Sequence, residues 1–231
     1  MMKLEKYLNS RGEEMNKLVC IDDLKNLIKD GMTIMIGGFL GFGTPEKLID
    51  LLIQMNIKDL IIIGNDTSFI DKGIGRLIVN NQVKKVIVSH IGTNPETGKL
   101  MNEGKLEVEL SPQGTLIERI RAGGFGLGGV LTPTGVGTLV EEGKEKINIS
   151  DKEYILELPL KADLALIRGS IVDKFGNTFY KGITKNFNPI IAMAANTVIV
   201  EAQDLVEVGE IEPEVVMTPG VLVDYIIEGG E

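Results

Sequence analysis

The stretch DGMTIMIGGFLGFGTP, residues 30–45, decides the fold. Within it, MTIMIGG (32–38) is a short apolar run that ends in glycines, the pattern of a strand buried on both faces. Thr44–Pro45 then supplies an N-cap and a first-turn proline, and Leu48, Leu51, Leu52 and Met55 form the apolar stripe of a helix. Upstream, IDDLKNLIKD (21–30) places Leu24, Leu27 and Ile28 at helical spacing, with Gly31 as its stop. The opening unit therefore reads as helix, strand, glycine turn, helix.

The same alternation continues outward. DLIIIGND (59–66) and KKVIVSHIG (84–92) repeat the buried-strand signal, whereas KLEVELS (105–111) alternates and belongs nearer an edge. Further along, the pattern predicts a helix over 115–122 and strands over 153–158, 162–171 and 197–201. It also predicts a helix over 187–195 and a last helix over 221–228, after the Thr218-Pro219-Gly220 turn. The fold class is α/β, with an open, mainly parallel sheet covered by helices on both faces. Residues 15–231 read as a single domain without internal repeat or low-complexity linker, and the polar residues 1–14 as an N-terminal extension. The glycine-rich stretch GGFGLGGVLTPTGVG (123–137) is the one long irregular segment, which marks a functional loop or an interface.

Composition narrows the function classes. A net charge of −9 opposes a nucleic-acid partner, which needs a basic face to neutralise phosphates. No run approaches the roughly 18 apolar residues of a membrane span, and the first residues lack a signal peptide's apolar region, so the chain reads as cytoplasmic. Cys20 is the single cysteine and reads as a small core residue. One histidine, His90, makes no metal constellation, and no zinc-type spacing exists, so no metal is expected. His90 reads as structural or as a support behind the site.

The glycines of GGFLGFGTP sit at the carboxyl end of the first strand, where ligands of open α/β sheets bind. They permit close backbone approach, and the following helix N-terminus offers N–H groups to an anion. A dinucleotide-binding turn also has glycines here, but its order is G-x-G-x-x-G. Gly38, Gly41 and Gly43 run in the reverse order, although Asp66 stands where a ribose-binding acid would. A forward match at Gly124, Gly126 and Gly129 follows a helical run rather than a strand, and no phosphate-binding GxxxxGK[ST] run exists. A purely structural turn remains a further reading.

Residues 30–45 resemble the alpha-subunit signature of family I coenzyme A-transferases: Asp-Gly, an apolar strand, Gly-Gly-Phe, then Gly-x-Pro. SHIGTNPETG (89–98), LSPQGTLIERIRAGG (110–124), TPTGVGTLVEEGK (132–144), ADLALIRG (162–169) and KNFNP (185–189) resemble the same polypeptide in the same order. The likeness is strongest to enzymes that exchange CoA among acetoacetate, butyrate and acetate. It implies a ping-pong transfer in which a glutamate attacks the acyl-CoA thioester, forms an acyl-glutamyl anhydride and becomes a glutamyl-CoA thioester. The family's nucleophile lies in a Glu-Asn-Gly run of the beta subunit, and this chain has no such run. The resemblance therefore implies a beta-subunit partner in an A2B2 assembly, with CoA as substrate and no further cofactor. It also implies that Gly37, Gly38, Phe39, Leu40, Gly41, Phe42 and Gly43 form a CoA-binding loop. Gln113 and Asn65 match acyl-site positions, where neutral amides hold an oxyanion without competing as nucleophiles; the bland readings are a turn amide and an Asx turn. Glu118, Glu141 and Glu157 read as solvated carboxylates. Lys181, Lys185, Asn186 and Asn188 read either as CoA phosphate contacts or as a solvated loop. The rival function on the same fold is a non-catalytic module that senses acyl-CoA or a sugar phosphate; a nicotinamide-dependent oxidoreductase is the weaker third.

Overall fold

The computed structural model describes residues 17–230; the extension read over residues 1–14 lies outside them. The strands are β1 (Thr33–Ile36), β2 (Leu60–Ile63), β3 (Val83–Val88), β4 (Glu107–Leu110), β5 (Val130–Thr132), β6 (Lys146–Ile149), β7 (Lys152–Glu157), β8 (Ala162–Asp173), β9 (Thr178–Phe179), β10 (Ala195–Val206) and β11 (Tyr225–Glu228). The α-helices are α1 (Glu46–Met55), α2 (Ile74–Val79), α3 (Pro95–Asn102), α4 (Gln113–Phe125) and α5 (Asn188–Ile191).

Seven strands form a parallel sheet in the order β11-β10-β8-β1-β2-β3-β4, and β9 folds back antiparallel on β8. Register explains why the strands read as continuous apolar runs. Ile34 and Ile36 lie opposite Leu164 and Leu166 and join the core under α1, α2 and α3. Met35, opposite Ala165, faces the other way, into the core with Leu116 and Ile120 of α4 and Ile191 of α5. Both faces are thus buried, each large aliphatic side chain contributing about 1.5–3 kcal/mol of transfer free energy. The alternating KLEVELS run forms β4, at the edge of the sheet.

From β1 the chain winds outward to β4, then returns to lay β8 on the other side of β1. The strand order therefore reverses between β1 and β8, and the connection after β1 opens at that point, the usual ligand crevice of such sheets.

Several expectations are corrected. Residues 221–228 are not a helix: a 3-10 turn, Gly220–Leu222, precedes β11, which pairs with Ile199–Ala202 of β10. The helices expected over 21–30 and 187–195 shrink to a 3-10 segment, Ile21–Leu27, and to α5. The stretch 123–137 is not one irregular loop. α4 runs through Gly123 to Phe125 and β5 begins at Val130; residue 123 is a glycine because a Cβ there would lie 1.9 Å from the Leu160 carbonyl oxygen. The strand expected over 153–158 is β7, but it belongs to a separate antiparallel sheet, β5-β7-β6. Cys20 is exposed rather than buried, because it begins the 3-10 segment, with its backbone N–H held by Asp23 Oδ2 at 3.2 Å.

Candidate active site

The loop after β1 folds as a two-residue hairpin turn. Phe39 and Phe42 exchange backbone hydrogen bonds of 2.9 Å in both directions, and Leu40 and Gly41 between them take φ of 50° and 82°. Positive φ at both central positions defines a tight, primed turn that leucine adopts only under constraint. The constraint is visible: Asp66 Oδ2 accepts the Leu40 N–H at 3.0 Å, and its Oδ1 accepts the Ser68 N–H at 2.7 Å. Asp66 is thereby committed to the turn, which removes the ribose-binding role weighed from sequence. Its pKa is raised by burial, against the lowering effect of these two N–H groups.

KNFNP clamps the same loop. Asn186 Oδ1 accepts the Gly38 N–H at 3.1 Å and its Nδ2 donates to the Phe42 carbonyl at 3.2 Å. Asn188 is fully buried; its Nδ2 donates to the Gly43 carbonyl at 2.9 Å, and its Oδ1 accepts the Arg168 N–H at 3.2 Å. A Cβ at Gly37 would fall 1.7 Å from Asn188 Oδ1, so the amide and the glycine fit each other. Both asparagines hold the loop; Asn188 is buried, and Asn186 is part-exposed and also lines the cleft described below.

The N-terminus of α1, read as an anion site, is already filled. Glu201 Oε2 accepts the N–H groups of Lys47 at 2.9 Å and Leu48 at 3.2 Å, taking the place of the expected Thr44 cap. The open helix end is that of α4. Its first intrahelical bond runs from Leu116 to the Pro112 carbonyl at 2.8 Å, so the N–H groups of Gln113, Gly114 and Thr115 precede the ladder.

There the two sequence-predicted amides meet. Asn65, buried just after β2, accepts from Gln113 Nε2 on its Oδ1 at 3.2 Å. Ser89 Oγ donates to the Asn65 carbonyl at 2.7 Å and lies 3.3 Å from Oδ1. With Oδ1 so engaged, Asn65 Nδ2 is the donor left for the cleft. Phe39, Asn65, Gln113, Arg121, Lys185 and Ile190 line this opening of about 440 Å³, together with Gly114 and other residues. None of its lining side chains is a carboxylate. Arg121, which sequence reasoning did not single out, brings a second cation beside Lys185 and pairs with exposed Glu118 at 3.0 Å.

Other predicted residues lie elsewhere. His90 is exposed and does not line the cleft; it pairs by backbone with Asp66. Lys181 is exposed, its N–H held by Ser170 Oγ at 2.9 Å. Glu141 is half-buried, accepting the Gly137 N–H at 2.6 Å. Glu157 is a correction: it is buried rather than solvated, 2.6 Å from Lys144 Nζ and 3.7 Å from Arg119 Nε, as a buried carboxylate requires. Among the described residues no group of three or more His, Cys, Asp or Glu can hold a metal ion, and no helix is long and apolar enough to cross a membrane.

An open parallel sheet, a clamped glycine turn at its switch point and paired neutral amides define an α/β protein with an amide-lined cleft at the carboxyl end of its sheet. The family is shown by comparison: residues 20–229 match the coenzyme A transferase family model, and the chain belongs to that family. It is 65% identical, over 92% of its length and 98% of the relative's, to the acetoacetyl-CoA:acetate/butyrate CoA transferase alpha subunit of Clostridium acetobutylicum. It is 55% identical to the acetate CoA-transferase alpha subunit of Escherichia coli, over 93% of this chain and 98% of that one. An acyl-CoA transferase of Escherichia coli shares the fold at TM-score 0.80 and 23% identity, over 92% of this chain and 47% of that chain.

Proposed function

We propose that the chain is the alpha subunit of a two-subunit transferase that moves CoA between a short acyl-CoA and acetoacetate, butyrate or acetate. The carrying observation is the cleft itself, which joins Asn65 and Gln113 and has no carboxylate lining it. Oxyanion donors are thus in hand, and the nucleophile comes from elsewhere, as expected if the beta subunit supplies a glutamate.

In this reading the partner's glutamate oxygen attacks the thioester carbon and expels the CoA thiolate, leaving an acyl-glutamyl anhydride. The thiolate then attacks the glutamyl carbonyl and releases the acyl group as its carboxylate. An acceptor carboxylate runs the two steps in reverse. Negative charge develops on a carbonyl oxygen each time, where fixed amide donors are most effective. Asn65 Nδ2, Gln113 and the first N–H groups of α4 are our donors. The turn Gly37–Gly43 positions CoA, held by Asp66, Asn186 and Asn188. CoA is the substrate, with no separate cofactor in the reaction.

Residues 15–231 act as one domain of this chain, a reading supported by the family match over 20–229. The names of the relatives as alpha subunits support a beta-subunit partner, and we take A2B2 as the assembly and the cytoplasm, with its acyl-CoA pool, as the location. The test is transfer from acetoacetyl-CoA to acetate or butyrate by the purified chain, with and without a co-expressed partner that carries Glu-Asn-Gly. Transfer only with the partner, through an intermediate on the partner that hydroxylamine cleaves, is expected. Transfer by the isolated chain, or ligand binding with no transfer by the pair, overturns the assignment.

A further inference from the structure

Three side chains of α4 line the Asn65 cleft: Gln113, Ile117 and Arg121. They stand at i, i+4 and i+8, the spacing that stacks residues along one helix face. At a rise of about 1.5 Å per residue, the Ile117 Cα lies about 6 Å and the Arg121 Cα about 12 Å beyond Gln113 along the axis. The face therefore presents, in order, an amide, an aliphatic side chain and a guanidinium.

The middle of the cleft is apolar on both sides. Ile117 of α4 and Ile190 of α5 are half-buried, pack against the core beneath them and also line the cleft.

The far end is polar. Helical side chains lean toward the N-terminus, and Arg121 does so: Glu118, three residues earlier, accepts from its Nε at 3.2 and 3.0 Å. The guanidinium therefore lies roughly one turn back from its own Cα, level with Ile117. Both carboxylate oxygens take the Nε–H, and the terminal nitrogens make no hydrogen bond to a described residue. Arg121 thus keeps donors for the cleft, while Glu118 offsets its charge from outside the lining. Donors arranged in this way suit a neutral oxygen, and the nearby Glu118 carboxylate repels a second anion.

An acyl group with its thioester carbonyl at Gln113 runs past Ile117 and brings its third carbon to Arg121. We propose that Arg121, held by Glu118, binds the 3-oxo oxygen of a 3-oxoacyl group, and that the pair selects such a group over one that ends in a carboxylate. The inference rests on the transferase reading above and names the residues that sort its substrates.

Butyryl-, acetoacetyl- and succinyl-CoA test it, because they share a four-carbon chain and differ only at C3 and C4. The experiment measures kcat/KM for each as donor, with acetate as acceptor, in the complex of this chain with its partner. In a ping-pong reaction this quantity reports the first half-reaction alone. In Arg121→Met the acetoacetyl-to-butyryl ratio should fall about fivefold, the loss of one net hydrogen bond. In Glu118→Gln the succinyl-to-butyryl ratio should rise about threefold, as the guanidinium loses its competing carboxylate. Arg121→Met in that background should cancel the rise. The two side chains are 40% and 48% exposed, so these variants should melt close to the parent. An unchanged acetoacetyl-to-butyryl ratio in Arg121→Met, an equal fall on all three donors, a succinyl-to-butyryl ratio unmoved by Glu118→Gln, or a rise that survives Arg121→Met overturns the inference. Absence of transfer by the unsubstituted complex overturns the transferase reading itself, and the inference with it.

Discussion

Gln113 Nε2 donates to Asn65 Oδ1 at 3.2 Å, joining the first residue of α4 to the second residue beyond β2. One contact thereby fixes the orientation of both amides. It leaves Asn65 Nδ2 and the second Gln113 N–H as donors, and Ser89 Oγ braces the Asn65 carbonyl from behind at 2.7 Å.

Removing either amide should separate chemistry from folding. In Gln113→Ala, kcat of the complex should fall about a hundred- to a thousandfold, the usual loss for one oxyanion donor. Gln113 is exposed, so the melting temperature should stay close to that of the parent. Asn65 is 3% exposed, so Asn65→Ala should lower kcat similarly and also cost about 1–3 kcal/mol of stability. Steady-state kinetics with thermal unfolding decide it; a KM effect with kcat intact would remove the oxyanion role.

The turn is tested at Gly41. Its φ of 82° disfavours a β-branched residue, and a Cβ there would stand 3.1 Å from Lys72 Cβ and 3.2 Å from Ser68 Oγ. Gly41→Val should therefore cost roughly 1–2 kcal/mol in backbone strain and lower kcat/KM for acyl-CoA. Stability lost with transfer kinetics unchanged would reduce the loop to a turn.

Glu201 gives a pH prediction. Burial is the main cause of its raised pKa; the N–H groups of Leu48 and Lys47 and the charge of Arg168 oppose it. The folded state then holds this proton more tightly than the unfolded chain does, so the contribution is fully stabilising below the ordinary glutamate range. It is lost as pH rises through the folded pKa. Glu201→Gln should flatten that decline in unfolding free energy and keep an acceptor for the α1 N–H groups. Glu201→Ala, which leaves those groups bare, should destabilise at every pH by about 1–3 kcal/mol. Denaturant unfolding at pH 4 to 8 reads both; an unaltered slope in Glu201→Gln would remove Glu201 as its source.

What the sequence disclosed follows from distance along the chain. β1, β2 and β3 were legible because strands covered on both faces are unbroken apolar runs. VLVDYII near the C-terminus was not, since so short a run satisfies helical spacing and strand composition alike, and pairing with β10 decides between them. The small sheet escaped because VLT and KINI are too short to carry a period. Glu157 and Glu201 looked solvated or unremarkable because their partners, Lys144, Arg119 and the α1 N–H groups, are set by the folded chain alone. An acid that ends the apolar run TVIVE was the available signal for Glu201. Asn65 and Gln113 came from family resemblance, and nothing in local pattern marked Ser89 or Arg121.

The two lysines of the 181–185 segment, alike in sequence, differ in place. Lys185 lines the Asn65–Gln113 cleft, whereas Lys181 lies outside its lining. A carboxylate acceptor that enters the cleft approaches the first and not the second. An exposed ion pair contributes about 0.2–1 kcal/mol, so Lys185→Ala should raise KM for the acceptor acid about threefold with kcat little changed. Added salt should raise the parent's KM toward the variant's, because an exposed pair is screened. Lys181→Ala should shift neither value. Equal effects of the two substitutions would assign the segment a diffuse electrostatic role and remove Lys185 from the cleft's chemistry.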